Sequence, residues 1–208
     1  MGTLTGLLNW CQNILDKFRW IDFLAPLLLR AYLAPVFWFA ANNKWDPFDS
    51  ETSLDSTIVW FANSDWGLGL PFPTLMAFMV WGAEYLGAIC LTLGVAVRLI
   101  AIPLMFTMVV AATTVHWDNG WQAVHDVHSP FAAANLDDAR ERLRKAKSIL
   151  HKHGNYEYLS AHGSFVKLNN GIEWAATYFV MLLALFFSGA GRNFSVDYWM
   201  HRKFRQGL

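Results

Sequence analysis

Hydrophobic positions along the chain gather into four long runs, at about residues 20–42, 74–97, 99–116 and 172–190. A helix rises about 1.5 Å per residue, so roughly 20 mostly apolar residues cross about 30 Å of hydrocarbon, and each run predicts a membrane-spanning helix. Trp20, Trp38, Trp45, Trp66, Trp117, Trp121, Trp174 and Trp199 lie near the predicted ends, where aromatic belts form. Pro26, Pro35 and Pro103 are tolerable inside spans where packed neighbours or water satisfy the freed carbonyls. The second and third runs meet almost directly at "GVAVRL", which predicts a tight antiparallel hairpin with Arg98 at its tip. The other connections, 43–73 and 117–171, are long, and four crossings place both on one side of the membrane. No internal repeat interrupts this plan, so the sequence predicts one all-α membrane domain over 1–208: an integral four-helix bundle.

Two further segments are amphipathic and too polar to span. Leu4, Leu7, Leu8, Cys11, Leu15 and Phe18 share one helical face, with Asn9, Gln12, Asp16, Lys17 and Arg19 mostly opposite, which predicts an N-terminal interfacial helix. The N-terminus lacks the basic and compact apolar regions of a cleaved secretory signal. In the second long connection, "NLDDARERLRKAKSILHKHGN" has a candidate Asn135 cap, acids Asp137 and Asp138 in its first turn, and His151, Lys152 and His153 before Gly154. It predicts a helix with a narrow apolar stripe of Leu136, Ala139, Leu143, Ala146 and Leu150.

Composition agrees: 55% of the chain is hydrophobic and 15% charged, with 11 Trp and 16 Phe, more apolar than an ordinary soluble domain. Sixteen basic residues balance sixteen acidic ones, so no net basic field exists to hold nucleic acid, and the lipid bilayer is the expected partner. Lys17, Arg19, Arg98, Arg192, Arg202, Lys203 and Arg205 share the side of the chain ends, whereas the first long connection sets Lys44 against Asp46, Asp49, Glu51, Asp55 and Asp65. This asymmetry predicts both termini in the cytoplasm, although the second connection carries many interspersed basic residues.

Charge inside the spans has more to say about chemistry. Arg30 lies midway along the first run and Glu84 midway along the second, where a charge costs about 2.5–3.5 kcal/mol on insertion scales and therefore calls for a partner or a polar cavity. Arg30 is 12 residues from Asn42 and Glu84 is 10 residues from Thr74, roughly 18 Å and 15 Å below the same surface, so the two are expected to meet and pair. The pair is open to two readings, a helix-orienting ion pair or the floor of a pocket in which Arg30 holds an anionic or quinone oxygen and Glu84 relays a proton. Lys44 and His116, near the loop-side ends of their spans, would line the mouth above it. Cys11 and Cys90 form no C-x-x-C pair, which argues against a dithiol relay, and "GLGLPFP" and "GAGRNFS" lack the strand and helix of a phosphate loop.

The stretch "VHWDNGWQAVHDVH", residues 115–128, offers a second chemistry. His125 and His128 share a face if helical, and with His116 they are candidate copper or zinc ligands, with His151, His153 and His162 as further candidates on the same side. The spacing matches no closed four-ligand motif, and amphipathic Trp and His at a membrane surface need no metal.

Arg30, Phe37 and Lys44 in order, then "GLGLPFP", "EYLGAICLTLGVAVRL" and His116, and finally "GAGRNFSVDYW", together resemble the DoxX-like family of small membrane proteins. The pattern falls on Arg30, Lys44, Gly69, Leu70, Pro71, Glu84, Gly94, Arg98, His116, Gly189, Gly191, Ser195, Asp197 and Tyr198. The resemblance implies a four-helix membrane bundle, with relatives among thiosulfate:quinone oxidoreductase subunits. The long insertion after His116 looks like the HvfX-like branch associated with copper-responsive peptide systems. The resulting expectation is an inner-membrane redox accessory or quinone-linked oxidoreductase subunit, with Arg30, Glu84, Lys44 and His116 at its site, quinone as the candidate cofactor and a protein partner at the long loops. The alternatives are a copper-homeostasis or transport component and a structural assembly subunit.

Overall fold

The computed structural model describes residues 2–129 and 131–204; Arg205, counted above among the terminal charges, lies outside them. Among the described residues the chain is helical, with one isolated antiparallel bridge, Val124 to Leu168, and no strand. It forms two compact units, residues 1–106 with 180–208, and residues 107–179.

Helix α1 (Gly2–Lys17) is the expected amphipathic element, and Leu4, Leu7, Leu8 and Leu15 of its apolar stripe remain exposed. Three helical runs are long and apolar enough to cross a membrane: α2 (Leu24–Asn42), α4 (Pro73–Leu93), and Val97–Asn119, which begins as α5 (Val97–Ala111) and continues through a π-helical turn. The fourth predicted run holds α8 (Glu173–Ser188), whose 16 residues cover roughly 24 Å. Helices α2, α4 and α5 invert the distribution of a soluble protein. Leu28, Phe39, Met79, Leu86, Leu99 and Phe106 are exposed, whereas Arg30 and Glu84 are 3% and 4% exposed. Apolar surface outside and charge inside is stable when the surroundings are lipid, so the chain is an integral membrane protein.

Within the first unit α2 and α4 run antiparallel through buried Leu33, Phe37 and Ala41 on one and Ala77, Ala88 and Leu91 on the other. Gly87 lets α5 approach: a Cβ there would lie 2.8 Å from Leu104 Cδ1. The first long connection is not a plain loop. It contains α3 (Asp55–Ala62), and Leu54 and Phe61 pack on Ala77 of α4 with Trp45, Trp60 and Trp81 around them.

The predicted hairpin between α4 and α5 is held by the C-terminal motif. Gly94 and Ala96 take left-handed backbone conformations, φ +67° and +50°, and the Asp197 carboxylate accepts hydrogen bonds from Ala96 N (2.7 Å) and Val97 N (3.1 Å). Asp197 thereby caps the N-terminus of α5 from α9 (Val196–Phe204). Ser195 Oγ in turn accepts from Tyr198 N and donates to Gly191 O, closing the turn that leads into α9.

In the second unit, residues 120–125 and 167–173 exchange backbone hydrogen bonds, backed by the buried side chains of Gln122 and Asn169. Asn169 Nδ2 donates to Asn119 O and Gln122 O, both at 2.7 Å. The predicted charged helix is α6 (Leu136–His153), followed by α7 (Tyr156–Ser160). A hydrogen bond from Arg142 holds the Asp138 carboxyl of α6 below the usual carboxylate range.

The turn at Gly94 gives a sharp test. A Cβ there would sit 2.7 Å from Arg30 Cζ at a φ that disfavours L side chains, whereas Gly82 meets nothing within 4 Å in mid-helix. Gly94→Ala is expected to cost more than about 1 kcal/mol and Gly82→Ala to be neutral or stabilising, as read by thermal unfolding in detergent.

Candidate intramembrane site

Arg30 and Glu84, expected to pair, do not. The Arg30 guanidinium makes four bonds to main-chain carbonyls: Nε donates to Leu91 O (2.8 Å), Nη1 to Ala190 O (2.7 Å) and Phe194 O (3.1 Å), and Nη2 to Thr92 O (3.2 Å). Leu91 and Thr92 belong to the last turn of α4, whose carbonyls have no partner within the helix. Arg30 therefore seals the C-terminus of α4 and binds it to the segment after α8. The expectation failed on register. Leu91 is seven residues beyond Glu84, roughly 10 Å along the helix, because the loop-side ends of α2 and α4 are not level.

Glu84 instead meets Lys44, with Nζ 2.6 Å from Oε2. Lys44 follows the C-terminus of α2, and its Nζ also donates to Ala40 O at 3.2 Å. The two side chains are 22% and 6% exposed, so the carboxylate is enclosed and the ammonium forms the more accessible side of the pair.

An aromatic wall flanks this pair. Trp45 and Trp81 rings lie 4.5 Å apart, Trp81 and Tyr85 stack at 5.3 Å, and Trp38 lies 5.2 Å from Tyr85. The Trp81 indole N–H donates to Trp45 O at 2.9 Å, which fixes one panel of the wall. The spacing that builds it is helical: Trp38, Asn42 and Trp45 share one face of the α2 end, and Trp81 and Tyr85 are one turn apart on α4. Asn42, between the two tryptophans on that face, carries a buried Oδ1 that accepts no hydrogen bond within the protein. Buried polar atoms are rarely left so, because an unmade hydrogen bond costs about 1–3 kcal/mol. Asn42 was not singled out from the sequence, and Trp38 and Trp45 were read there only as part of an aromatic belt.

The histidines take other roles. His116 lies in the second unit, where Nδ1 donates to Asn170 O at 2.8 Å. Residues 121–129 are not helical, so His125 and His128 do not share a helix face. Both ring nitrogens of His125 are engaged, with Lys167 O (3.3 Å) and Asn135 Oδ1 (3.0 Å), and His128 is exposed. Among the described residues no group of three or more His, Cys, Asp or Glu is placed to hold a metal ion.

The pairing is measurable by double-mutant cycles. Lys44→Met and Glu84→Gln are expected to couple by about 1–3 kcal/mol in unfolding free energy, since losing Lys44 leaves the enclosed Glu84 carboxylate without its cation. Arg30→Met and Glu84→Gln should instead add to within about 0.5 kcal/mol.

No curated protein and no solved structure matches the chain. The family model described as DoxX does match, over residues 25–117, just under half of the sequence. That match runs from the start of α2 through the Lys44–Glu84 pair and the third apolar run to Trp117, and over this stretch the chain is similar to the DoxX family.

Proposed function

We propose that the chain is a redox-linked membrane protein, a quinone-binding subunit of an oxidoreductase, whose site is the Lys44–Glu84 pair with its aromatic wall. The observation that carries this reading is the buried, unpaired acceptor Asn42 Oδ1 on the tryptophan-bearing face of α2, near an enclosed ion pair. A flat ligand with carbonyl or hydroxyl oxygens fits such a donor set. The rings of Trp38, Trp45, Trp81 and Tyr85 supply stacking surface, Lys44 Nζ donates to a ligand oxygen, and Asn42 Oδ1 accepts from a hydroxyl. A bound quinone would supply two-electron, two-proton chemistry, with the electrons coming from a partner protein.

The residues of the chain handle the proton. Glu84 is the carboxylate that exchanges a proton beside the wall, and Lys44, the more exposed member, is hydrogen-bonded to it on its accessible side. Arg30, with its donors committed to carbonyls, acts here as a structural residue. We further propose four crossings, α8 included, with both termini in the cytoplasm of a bacterial cell. The acidic first connection, Asp46 to Asp65, then faces outward with the site below it.

Tryptophan fluorescence of the purified protein, titrated with decylubiquinone in detergent, tests the site. Saturable quenching is expected, with affinity about tenfold weaker in Glu84→Gln. Asn42→Leu separates ligand chemistry from packing: it should raise the melting temperature of the ligand-free protein by removing an unsatisfied acceptor, yet weaken quinone binding. Absence of saturable quenching, or unchanged affinity in both variants, would sink the proposal.

A further inference from the structure

A cavity of about 510 Å³ lies at the opposite ends of α2 and α4 from the Lys44–Glu84 pair, in the same compact unit. Its walls come from the start of α5 and from the segment joining α8 to α9, and they include Arg98, Ser188, Arg192, Asp197, Tyr198 and His201. We propose that it binds a phosphate group, with the headgroup of an anionic phospholipid as the source its surroundings favour.

Arg98 is the first reason. Its Nη2 donates to Phe187 O at 2.9 Å, which orients the guanidinium, and Gly189 at φ +77° leaves room for it, since a Cβ there would lie 3.2 Å from Nε. Among the described residues Arg98 makes no ion pair, and its remaining N–H groups form the fork that suits phosphate oxygens. Arg192 is the second cation. It pairs with Asp22, but both side chains are more than half exposed, and such a surface pair is worth only about 0–1 kcal/mol, so an anion can share it.

The one carboxylate in the walls does not cancel this. Both oxygens of Asp197 accept from the amides of Ala96 and Val97, and its charge also interacts with that of the buried Arg30. Tyr198 and Ser188 contribute hydroxyls to the walls.

The surroundings favour a lipid over a soluble anion. Leu99 is 70% and Phe187 69% exposed, on the apolar flanks of α5 and α8 beside the cavity. A cationic recess bordered by lipid-facing side chains at the end of a span suits a phosphate carrying acyl chains.

The test uses the full chain purified in a neutral detergent. Phosphatidylglycerol, phosphatidylcholine and inorganic phosphate are added separately, with melting temperature and lipid retention in native mass spectrometry as readouts. The expected result is stabilisation and retention with phosphatidylglycerol alone, with retention falling at least fivefold in Arg98→Gln/Arg192→Gln. Arg98→Lys, which keeps the charge but loses the fork, should fall between. Stabilisation by inorganic phosphate that depends on the same arginines supports the phosphate site and assigns it a soluble ligand. The proposal is overturned if neither phosphate source stabilises the protein. It is also overturned if Lys17→Gln/Arg19→Gln, outside the cavity, lowers retention as much, because general surface charge would then explain the binding.

Discussion

Everything in the first unit depends on how one buried charge is satisfied. Arg30 sits 3% exposed in the first span, where an unpaired guanidinium is too costly to persist. It does not find a carboxylate. It finds the carbonyl oxygens that α4 leaves unpaired at its C-terminus, together with two from the segment after α8. Those carbonyls bear the partial negative charge of a helix end, so the cation and the helix terminus relieve each other's desolvation. A single side chain thereby joins α2, α4 and the approach to α9. Gly94 is the steric counterpart of that joint, since only a residue without a Cβ leaves the guanidinium its place.

This clamp also sets what happens two helical turns away. With Arg30 opposite Leu91, the antiparallel register brings Glu84 to the end of α2 and within reach of Lys44. The long lysine stem makes the contact possible from beyond the helix C-terminus, with its aliphatic part inside and its ammonium at the rim. The two intramembrane charges therefore solve the same cost in different ways, one through backbone carbonyls and one through an ion pair.

Much of this was legible in the chain. Uninterrupted apolar runs predict α2, α4 and the helix from Val97, and the acid-first, base-last pattern of residues 135–154 predicts α6. Lys44 and Glu84 stand out as charges near or within apolar runs, before any partner is known. The partner itself was not legible, because helix register depends on where the ends sit and those ends are displaced by α3 and its packing on Ala77. The aromatic wall was readable in principle from Trp38, Asn42 and Trp45 at i, i+4 and i+7. Read singly, those tryptophans look like an interfacial belt, and only the stacking across to Trp81 and Tyr85 distinguishes the two. The histidine-rich stretch misled for a local reason: an i, i+3 spacing means a shared face only in a helix, and residues 121–129 are not helical, with 120–125 bonded to 167–173 instead.

The contrast between the two ends of the α2–α4 pair is what separates structure from chemistry here. At the Arg30 end, donors meet carbonyl acceptors at 2.7–3.2 Å from two segments, and a ligand could enter only by breaking bonds that hold the helices together. At the other end the ion pair is one-sided, with Lys44 partly open, and Asn42 Oδ1 is buried without a donor near ring faces that are only half buried. Desolvated polar groups are kept unsatisfied in a stable fold only where something else meets the cost. The charge that looks most conspicuous in the sequence, Arg30, therefore belongs to the scaffold, and on the proposed reading the polar atom that looks least conspicuous, Asn42 Oδ1, marks the end of the helix pair where a ligand would bind.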